Sequence, residues 1–277
     1  MKKIICILFL LCGIISCAHR PKITVIELPA KEEKIIITPV KQTLSVGEKL
    51  VYAVDWRGIY AGQSILHVKE LVNFSNRQCY HIIAQARPNM FFRLFYNVKY
   101  IVETYIDKET NMPLRFYKKR TYGKDITEED ISFDYNNNVA AWKYTGVEGK
   151  TIKLSVNNVQ DLLSSLYYFR LKSFILGEEY PLDIIYNGTA WKLNAKISSL
   201  ELVKMYNEKV IKTYTVSLSS KLTKHITGEQ KIKIYFSAKE KHTPLLFNFR
   251  TKIGPLNGVL KNIPQDEFGE GAKHSDK

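Results

Sequence analysis

The sequence predicts a mainly β protein, built as a large curved antiparallel sheet or open half-barrel with one helix packed against it. Apolar and polar residues alternate with period two in many short segments, which is typical of strands with one buried face. Turn signals such as Asn187-Gly188 separate these segments. One stretch, at about 158–171, has a helical period instead.

Four regions divide the chain. We expect a lipoprotein signal peptide at 1–16, a lipidated N-terminus and tether at 17–46, a single antiparallel β domain at 47–263 and a disordered tail at 264–277. The tether mixes prolines, charges and short β-branched runs without a sustained period, and the tail is polar and glycine-bearing. A body of some two hundred residues buries most of its surface on folding, so its core alone can stabilise it.

The leader indicates export and lipid attachment. Two lysines precede an apolar run at 4–15, which is shorter than the roughly 20 residues that span a bilayer. Ser16-Cys17 then resembles the end of a bacterial lipobox, in which the cysteine sulfur receives a diacylglyceryl group before cleavage. We therefore expect Cys17 to anchor the protein to a membrane. The alternative is an ordinary signal peptide in which the cysteines are apolar filler.

Export restricts both compartment and partners. The lipid-anchored protein would face the periplasm, at the outer membrane rather than the inner one because Ala18 is not an aspartate retention signal. Nucleic acid is disfavoured as a partner outside the cytoplasm. Cys79 is the one cysteine left in the mature chain, so no intramolecular disulfide can form, and we expect it to be a small buried residue in a strand.

Three segments show the strand pattern most clearly. "KLVYAVDW" from Lys49, "AWKLNAKIS" from Ala190 and "QKIKIYFSAK" from Gln230 each place apolar side chains at every second position. In the second and third segments, lysines and other polar residues occupy the positions between, including Tyr235 and Ser237 in the third segment. This predicts a sheet that is packed on one face and wet on the other.

The helical segment is "VNNVQDLLSSLYYFRLK". Asn157 or Asn158 could cap its N-terminus, or Asp161 could cap or charge the helix start. Leu162 and Leu166 are predicted to face the apolar side of the sheet.

A dense apolar segment at 88–96 has three interpretations. Its large apolar side chains could fill the open end of the half-barrel as core, which we favour, form a lid over a lipid-sized cavity, or dip into a membrane. These candidate ligand or lid residues are Met90, Phe91, Phe92, Leu94 and Phe95.

The motifs "VGEKLVYAVDWRGIYAGQSILHV", "VQDLLSSLYYFRLKSFILGEEYPLDI" and "TPLLFNFRTKIGPLNGVL" resemble a bacterial envelope family of unknown function, numbered 3108, over about residues 46–262. The resemblance implies a secreted or lipid-anchored protein with a large curved sheet, and it brings no established catalytic residues. The motif residues, which we expect to be structural, are Gly47, Glu48, Tyr52, Trp56, Gly62, Asp161 and Arg170.

Catalytic and metal motifs are absent from the sequence, so we expect no enzyme activity, cofactor or metal. His67 and His81 should lie on neighbouring strands and face outward. The net charge of +14 favours anionic lipid or lipopolysaccharide as a partner, although wet lysines also keep a sheet soluble. We expect a non-catalytic envelope lipoprotein that binds an apolar or amphipathic ligand or an envelope protein. The alternatives are a hydrolase of envelope polymers and a structural scaffold.

Overall fold

The computed structural model describes residues 24–27, 43–155, 159–206, 208–220, 231–251 and 254–264. Cys17 and the rest of the leader, most of the tether and nearly all of the 264–277 tail lie outside the described residues. The expectations for those regions therefore stay predictions.

The described residues form sixteen strands and two helices. The first nine strands are β1 (Thr24–Glu27), β2 (Lys49–Trp56), β3 (Ile59–Phe74), β4 (Arg77–Pro88), β5 (Val98–Asp107), β6 (Pro113–Tyr122), β7 (Asp125–Asp134), β8 (Val139–Tyr144) and β9 (Val147–Lys153). The others are β10 (Val159–Gln160), β11 (Glu179–Tyr186), β12 (Thr189–Lys204), β13 (Val210–Ser219), β14 (Lys231–Ser237), β15 (Pro244–Thr251) and β16 (Gly254–Leu260). The helices are α1 (Met90–Phe95) and α2 (Leu162–Arg170).

All sixteen strands belong to one sheet, as the alternation predicts. Its order is β10-β11-β12-β13-β14-β15-β16-β2-β3-β4-β5-β6-β7-β8-β9, and β1 pairs with β12. Neighbouring strands are antiparallel except for β10 and β11, which are parallel. The large antiparallel sheet with one packed helix is therefore confirmed.

The two ends of the sheet meet through side chains. Ile185 on β11 shares an apolar cluster with Phe116 on β6 and Trp142 on β8, although these strands lie near opposite ends of the sheet order. The turn between β11 and β12 lies at the same place, because Lys118 Nζ donates to Asn187 Oδ1 at 3.1 Å. The sheet therefore curls until β11 lies against β6 to β8.

The predicted alternation is confirmed on β12. Leu193, Ala195 and Ile197 are buried, while Lys192 and Lys196 are exposed. The inner face of the sheet therefore carries the core, and charged side chains keep this part of the outer face wet.

On β14 the wet-face prediction is wrong at two positions. Tyr235 and Ser237 are buried, since side chains from the end of the β12–β13 hairpin cover this part of the outer face. Tyr235 packs in one cluster with Val203 and Met205 of that hairpin. A period-two pattern does not reveal a hairpin that covers the second face.

Helix α2 begins later than Asn157 or Asn158 would place it. Asp161 is the N-cap: its Oδ1 accepts from the backbone N–H groups of Leu163 at 2.7 Å and Ser164 at 2.8 Å. Ser164 Oγ in turn accepts from the Asp161 N–H at 2.9 Å, which completes a capping box. The asparagine prediction is wrong because residues 159–160 pair with β11, and the Asp161 alternative is confirmed.

The packing face of α2 agrees with the prediction. Leu162 and Leu166 pack against the core on the apolar side of the sheet, although both are only half-buried. The fully buried side chains of the helix include Leu163, Tyr167 and Phe169.

Candidate functional site: an apolar cavity with a short helix at its mouth

A cavity of about 580 Å³ lies on the inner face of the sheet. Its surface is almost wholly apolar. The lining residues come from six adjacent strands and from both helices and their ends: Tyr52, Val54, Trp56, Ala61, Gly62, Gln63, Ser64, Leu66, Ala86, Arg87, Pro88, Phe92, Tyr96, Val98, Tyr100, Leu166, Phe247, Leu256 and Gly258.

Close approach of β3 and β4 shapes the mouth of this cavity. Gly62 lies opposite Pro88, and a Cβ added to Gly62 would lie 2.3 Å from the carbonyl oxygen of Arg87. A larger residue at this position would push the strands apart. The Asn89 N–H then donates to the Ala61 carbonyl at 2.8 Å, so the chain leaves β4 beside the cavity.

Helix α1 is held at this position by its cap. Asn89 Oδ1 accepts from the backbone N–H of Phe92 at 2.8 Å, and Asn89 Nδ2 donates to the carbonyl of Tyr60 at 2.5 Å. The side chain that caps the helix therefore also ties it to β3.

The prediction that 88–96 fills the core is wrong. Phe92 turns toward the cavity and contacts Trp56 edge-to-face with ring centroids 5.9 Å apart. The other four candidates point to solvent: Met90 is 78% exposed, Leu94 77%, Phe95 63% and Phe91 59%. A six-residue helix has one inward side, so the segment cannot bury all five. The lid and membrane-contact alternatives remain.

Several motif residues fix α2 beneath the cavity. The Arg170 guanidinium donates twice to the Glu48 carboxylate, from Nη2 to Oε1 at 2.7 Å and from Nη1 to Oε2 at 2.5 Å. Its Nε donates to the Lys241 carbonyl at 3.3 Å. The Tyr52 hydroxyl donates to the Pro244 carbonyl at 2.7 Å, and burial raises the pKa of this phenol well above its usual value. The Arg170 bonds hold the helix that supplies Leu166 to the cavity, and the Tyr52 bond ties β2 to β15.

Gly47 and Asp161 lie away from the cavity wall. Gly47 donates its N–H to the Val68 carbonyl at 2.7 Å, just before β2. Asp161 is fully buried and accepts from Thr104 Oγ1 at 2.6 Å. Burial raises the pKa of its carboxyl to about 6, although these hydrogen bonds oppose the rise. Both residues serve the fold around the cavity.

A second cavity, of about 440 Å³, was not predicted from the sequence. It mixes aromatic rings with two cations, and its lining residues are Tyr100, Lys118, Arg120, Thr127, Trp142, Tyr144, Tyr186 and Asn187. The alternation of polar and apolar residues places cations on the wet face of the sheet. Phe116 is buried, however, and every second residue of a strand points to the same face, so Lys118 and Arg120 point inward with Phe116. That phase relation is the signal that could have identified them.

The two cations of the second cavity differ in their partners. Lys118 forms an ion pair with the fully buried Glu129, whose Oε1 also accepts from Trp142 Nε1 at 2.9 Å. Its ammonium lies 5.0 Å from the centre of the Tyr186 ring. Arg120 has no ion pair with a described carboxylate, and its buried Nε has no hydrogen-bond partner among the described residues.

His81 does not face solvent as predicted. It is buried, its Nε2 lies 2.9 Å from Glu103 Oε2, and its ring stacks on Tyr105 with centroids 4.6 Å apart. A register shift between Val68 and Glu70 places it opposite Glu70. Within the described part of the chain, no three His, Cys, Asp or Glu side chains form a group that could hold a metal ion.

Cys79 is buried in β4, as predicted, and burial raises the pKa of its thiol to about 11. Neither described helix has the length and apolar character that crossing a membrane requires.

Comparison with known proteins gives a family and a structural likeness. The sequence model of a family described as "Protein of unknown function (DUF3108)" matches residues 51–261. A similar solved structure is the crystal structure of a beta-barrel-like protein of the domain of unknown function DUF1849 from Brucella abortus. It has 10% sequence identity and a TM-score of 0.49, and the match covers 77% of this chain and 94% of that one. No curated protein matches the chain.

Proposed function

The chain belongs to the DUF3108 family of proteins of unknown function, and we propose that it is a non-catalytic binding protein of the cell envelope. Its ligand is a lipid-like molecule whose hydrocarbon part occupies the apolar cavity. The observation that carries this proposal is the cavity itself, about 580 Å³ in volume with an almost wholly apolar surface.

The size and surface of the cavity both favour a hydrocarbon occupant. Ligand sites commonly measure about 300–1,000 Å³ and are mostly apolar. An apolar cavity offers water too few hydrogen-bond partners to hold it in place. Each methylene that leaves water for such a site contributes about 0.8 kcal/mol, so a chain of several carbons gains substantial affinity.

The same surface gives the hydrolase alternative less support. Nucleophilic catalysis by a serine needs a base within hydrogen-bond reach. Ser64 lies on the cavity wall, but the described lining contains no histidine, aspartate or glutamate that could activate it. Asp161, the acid with a raised pKa, is in the helix cap instead.

The exposed residues of α1 support a role at the entrance. Phe92 belongs to the cavity wall, while Met90 and Leu94 on the same helix are more than three-quarters exposed. Apolar side chains exposed at the mouth of an apolar cavity allow an insoluble ligand to enter from a lipid surface without crossing water. We propose that α1 is this contact.

Binding is tested with a cavity-filling variant and a matched control on the same strand. Ala86 lines the cavity, whereas Gln85 is exposed on the opposite face of β4. In a fluorescence titration with cis-parinaric acid, Ala86→Trp should abolish binding and Gln85→Trp should retain it. Equal binding by both variants, with unchanged unfolding midpoints, would show that the cavity is not the site.

The role of α1 is tested by transfer from vesicles. The double variant Met90→Ser/Leu94→Ser should slow uptake of the probe from phospholipid vesicles while leaving the unfolding midpoint unchanged. The control Val147→Ser/Val210→Ser removes two exposed apolar side chains elsewhere and should have no effect. If uptake stays at the wild-type rate in the first variant, α1 is not an entrance, and a protein partner becomes the better explanation of its exposed residues.

The envelope location rests on the leader. Cys17→Ala should prevent incorporation of labelled fatty acid into the expressed protein and leave either an uncleaved precursor or a soluble form. A variant that still incorporates the label, or a cleaved form that stays wholly with membranes at high salt, would contradict lipid anchoring at Cys17.

A further inference from the structure

We propose that the ligand is an anionic amphiphile whose head group lies in the 440 Å³ cavity at Arg120, while its hydrocarbon chain occupies the apolar cavity. This inference rests on the proposed function and adds the chemical class of the ligand. Its basis is the arrangement of the two cavities on one continuous inner face.

The two cavities share a wall. Tyr100 lines both of them. A single cross-strand row joins Ser64, Ala86, Tyr100 and Arg120, since each is the register partner of the next. Neighbouring strands are about 4.8 Å apart, so Arg120 lies three strand spacings, about 14 Å, from Ser64 along this row. A molecule lying along the row has one end among apolar side chains and the other at a guanidinium.

The positive charge of Arg120, in the second cavity, is available to a ligand. Glu129 already neutralises Lys118, whereas Arg120 faces neutral cross-strand partners, Tyr100 and Thr127. Its Nε is buried without a hydrogen-bond partner among the described residues. A phosphate or carboxylate group in the cavity would compensate the charge of Arg120, because guanidinium groups bind such oxygens in a forked geometry.

The other walls of the second cavity suit a head group rather than a free ion. Trp142, Tyr144 and Tyr186 present aromatic rings to the cavity. Aromatic faces pack against the C–H groups of glycerol or sugar, and they exclude water from the charged contact. Asn187 adds an amide at the rim, so the cavity combines the surfaces that a polar head group needs.

The experiment compares two ligands that differ only in the phosphate. Lauroyl lysophosphatidate and monolaurin share the glycerol and the acyl chain. We expect the wild-type protein to bind the lysophosphatidate at least about 10-fold more tightly, which corresponds to ~1.4 kcal/mol and is what one charge-assisted contact supplies. Arg120→Gln should reduce this preference to near unity, and Arg120→Lys should retain part of it.

The matched control is Lys119→Gln on the same strand. It removes the same charge from the outer face, where Lys119 pairs with Glu128, and the preference should persist. If Lys119→Gln and Arg120→Gln lose the preference for lysophosphatidate to the same extent, the net charge of the protein, and not the cavity, sets that preference. If Arg120→Gln does not fold, the test is the comparison of the wild-type protein with Arg120→Lys. A wild-type preference for lysophosphatidate that is reduced in Arg120→Lys supports the site, and an unchanged preference contradicts it.

The remaining outcomes separate this inference from the proposed function. Binding of both lipids with equal affinity by the wild-type protein would overturn the head-group site and leave the apolar site standing. Failure to bind either lipid would overturn the proposed function. If inorganic phosphate alone competes at the same concentration as the lysophosphatidate, the second cavity holds a free anion and the amphiphile proposal is wrong.

Discussion

Replacing Asp161 with asparagine should stabilise the protein at neutral pH. The carboxyl is fully buried at the start of α2, and burial raises its pKa from 3.8 to about 6 despite the hydrogen bonds that it accepts. Asparagine is as good an N-cap as aspartate, and its Oδ1 can still accept from Leu163 and Ser164. Its Nδ2 would then face Thr104, whose hydroxyl can turn to donate to the Arg115 carbonyl at 3.3 Å.

The size of the effect follows from the shifted pKa. Each pH unit between the unfolded and folded values corresponds to ~1.36 kcal/mol, so the rise from 3.8 to about 6 costs the ionised protein on the order of 3 kcal/mol. Because the Asp161 pKa is raised in the folded state, the protonated carboxyl contributes to the stability of the fold. This contribution is fully present below pH 3.8 and is lost as pH rises through about 6. The gain from Asp161→Asn should therefore be near zero at pH 4 and reach about 1–3 kcal/mol at pH 7.5.

Urea unfolding at several pH values measures this difference directly. Carboxyls elsewhere, such as Glu128, whose pKa is lowered by its hydrogen bond with Lys119, titrate alike in both proteins and cancel. Thr104→Val provides the opposite test, because it removes a hydrogen bond that lowers the Asp161 pKa and should destabilise the protein most at neutral pH. If the difference between wild type and Asp161→Asn is constant from pH 4 to 7.5, the buried carboxyl is not the titrating group and the reasoning fails.

Three further substitutions test the frame of the cavity, each by urea unfolding. Glu48→Gln should cost about 3–5 kcal/mol, because it leaves the buried Arg170 without its charge partner; a loss below 1 kcal/mol would mean that water reaches this pair. Gly188→Ala should cost at least about 1–3 kcal/mol, because its φ is +67° and the new Cβ would lie 2.8 Å from Trp142 Cδ2; an unchanged midpoint would place the turn elsewhere. Leu166→Ala should cost only about 1–2 kcal/mol, below the usual range for buried leucines, because its side chain is half-buried and lines the cavity; a loss of 4 kcal/mol would mean that the site is packed.

The sheet was predictable because alternation is a local signal. On β12, each side chain's direction follows from the previous one, and Leu193, Ala195 and Ile197 are buried as the pattern indicates. The start of α2 was less predictable, since it depends on whether residues 159–160 extend the helix or pair with a strand. Residues 159–160 pair with β11, a strand about twenty residues later in the chain, so the sequence of the helical segment alone does not determine where the helix begins.

The burial of the 88–96 segment was not predictable for a related reason. An apolar segment of this composition can either fill a core or border a cavity. Which of the two occurs depends on the strands that surround the segment in the folded protein. Asn89 ties the segment to β3 at the rim, so Phe92 alone of the five candidates turns inward. The inward direction of Arg120 was missed because a charged residue on an amphipathic strand is ordinarily assigned to the wet face.

The cavity itself has a sequence signature, which lies in the small residues of the inner face. Gly258 and Ser64 lie at inward positions on β16 and β3, and Ala86 is the register partner of Ser64 on β4. Larger side chains at such positions would fill the space beneath the sheet and add burial energy, since open cavity volume costs stability. The core at Leu193 and Ile197 shows that the same sheet packs fully elsewhere. Small residues grouped on neighbouring strands, beside a sheet that is otherwise well filled, are therefore more consistent with a ligand site than with a poorly packed core.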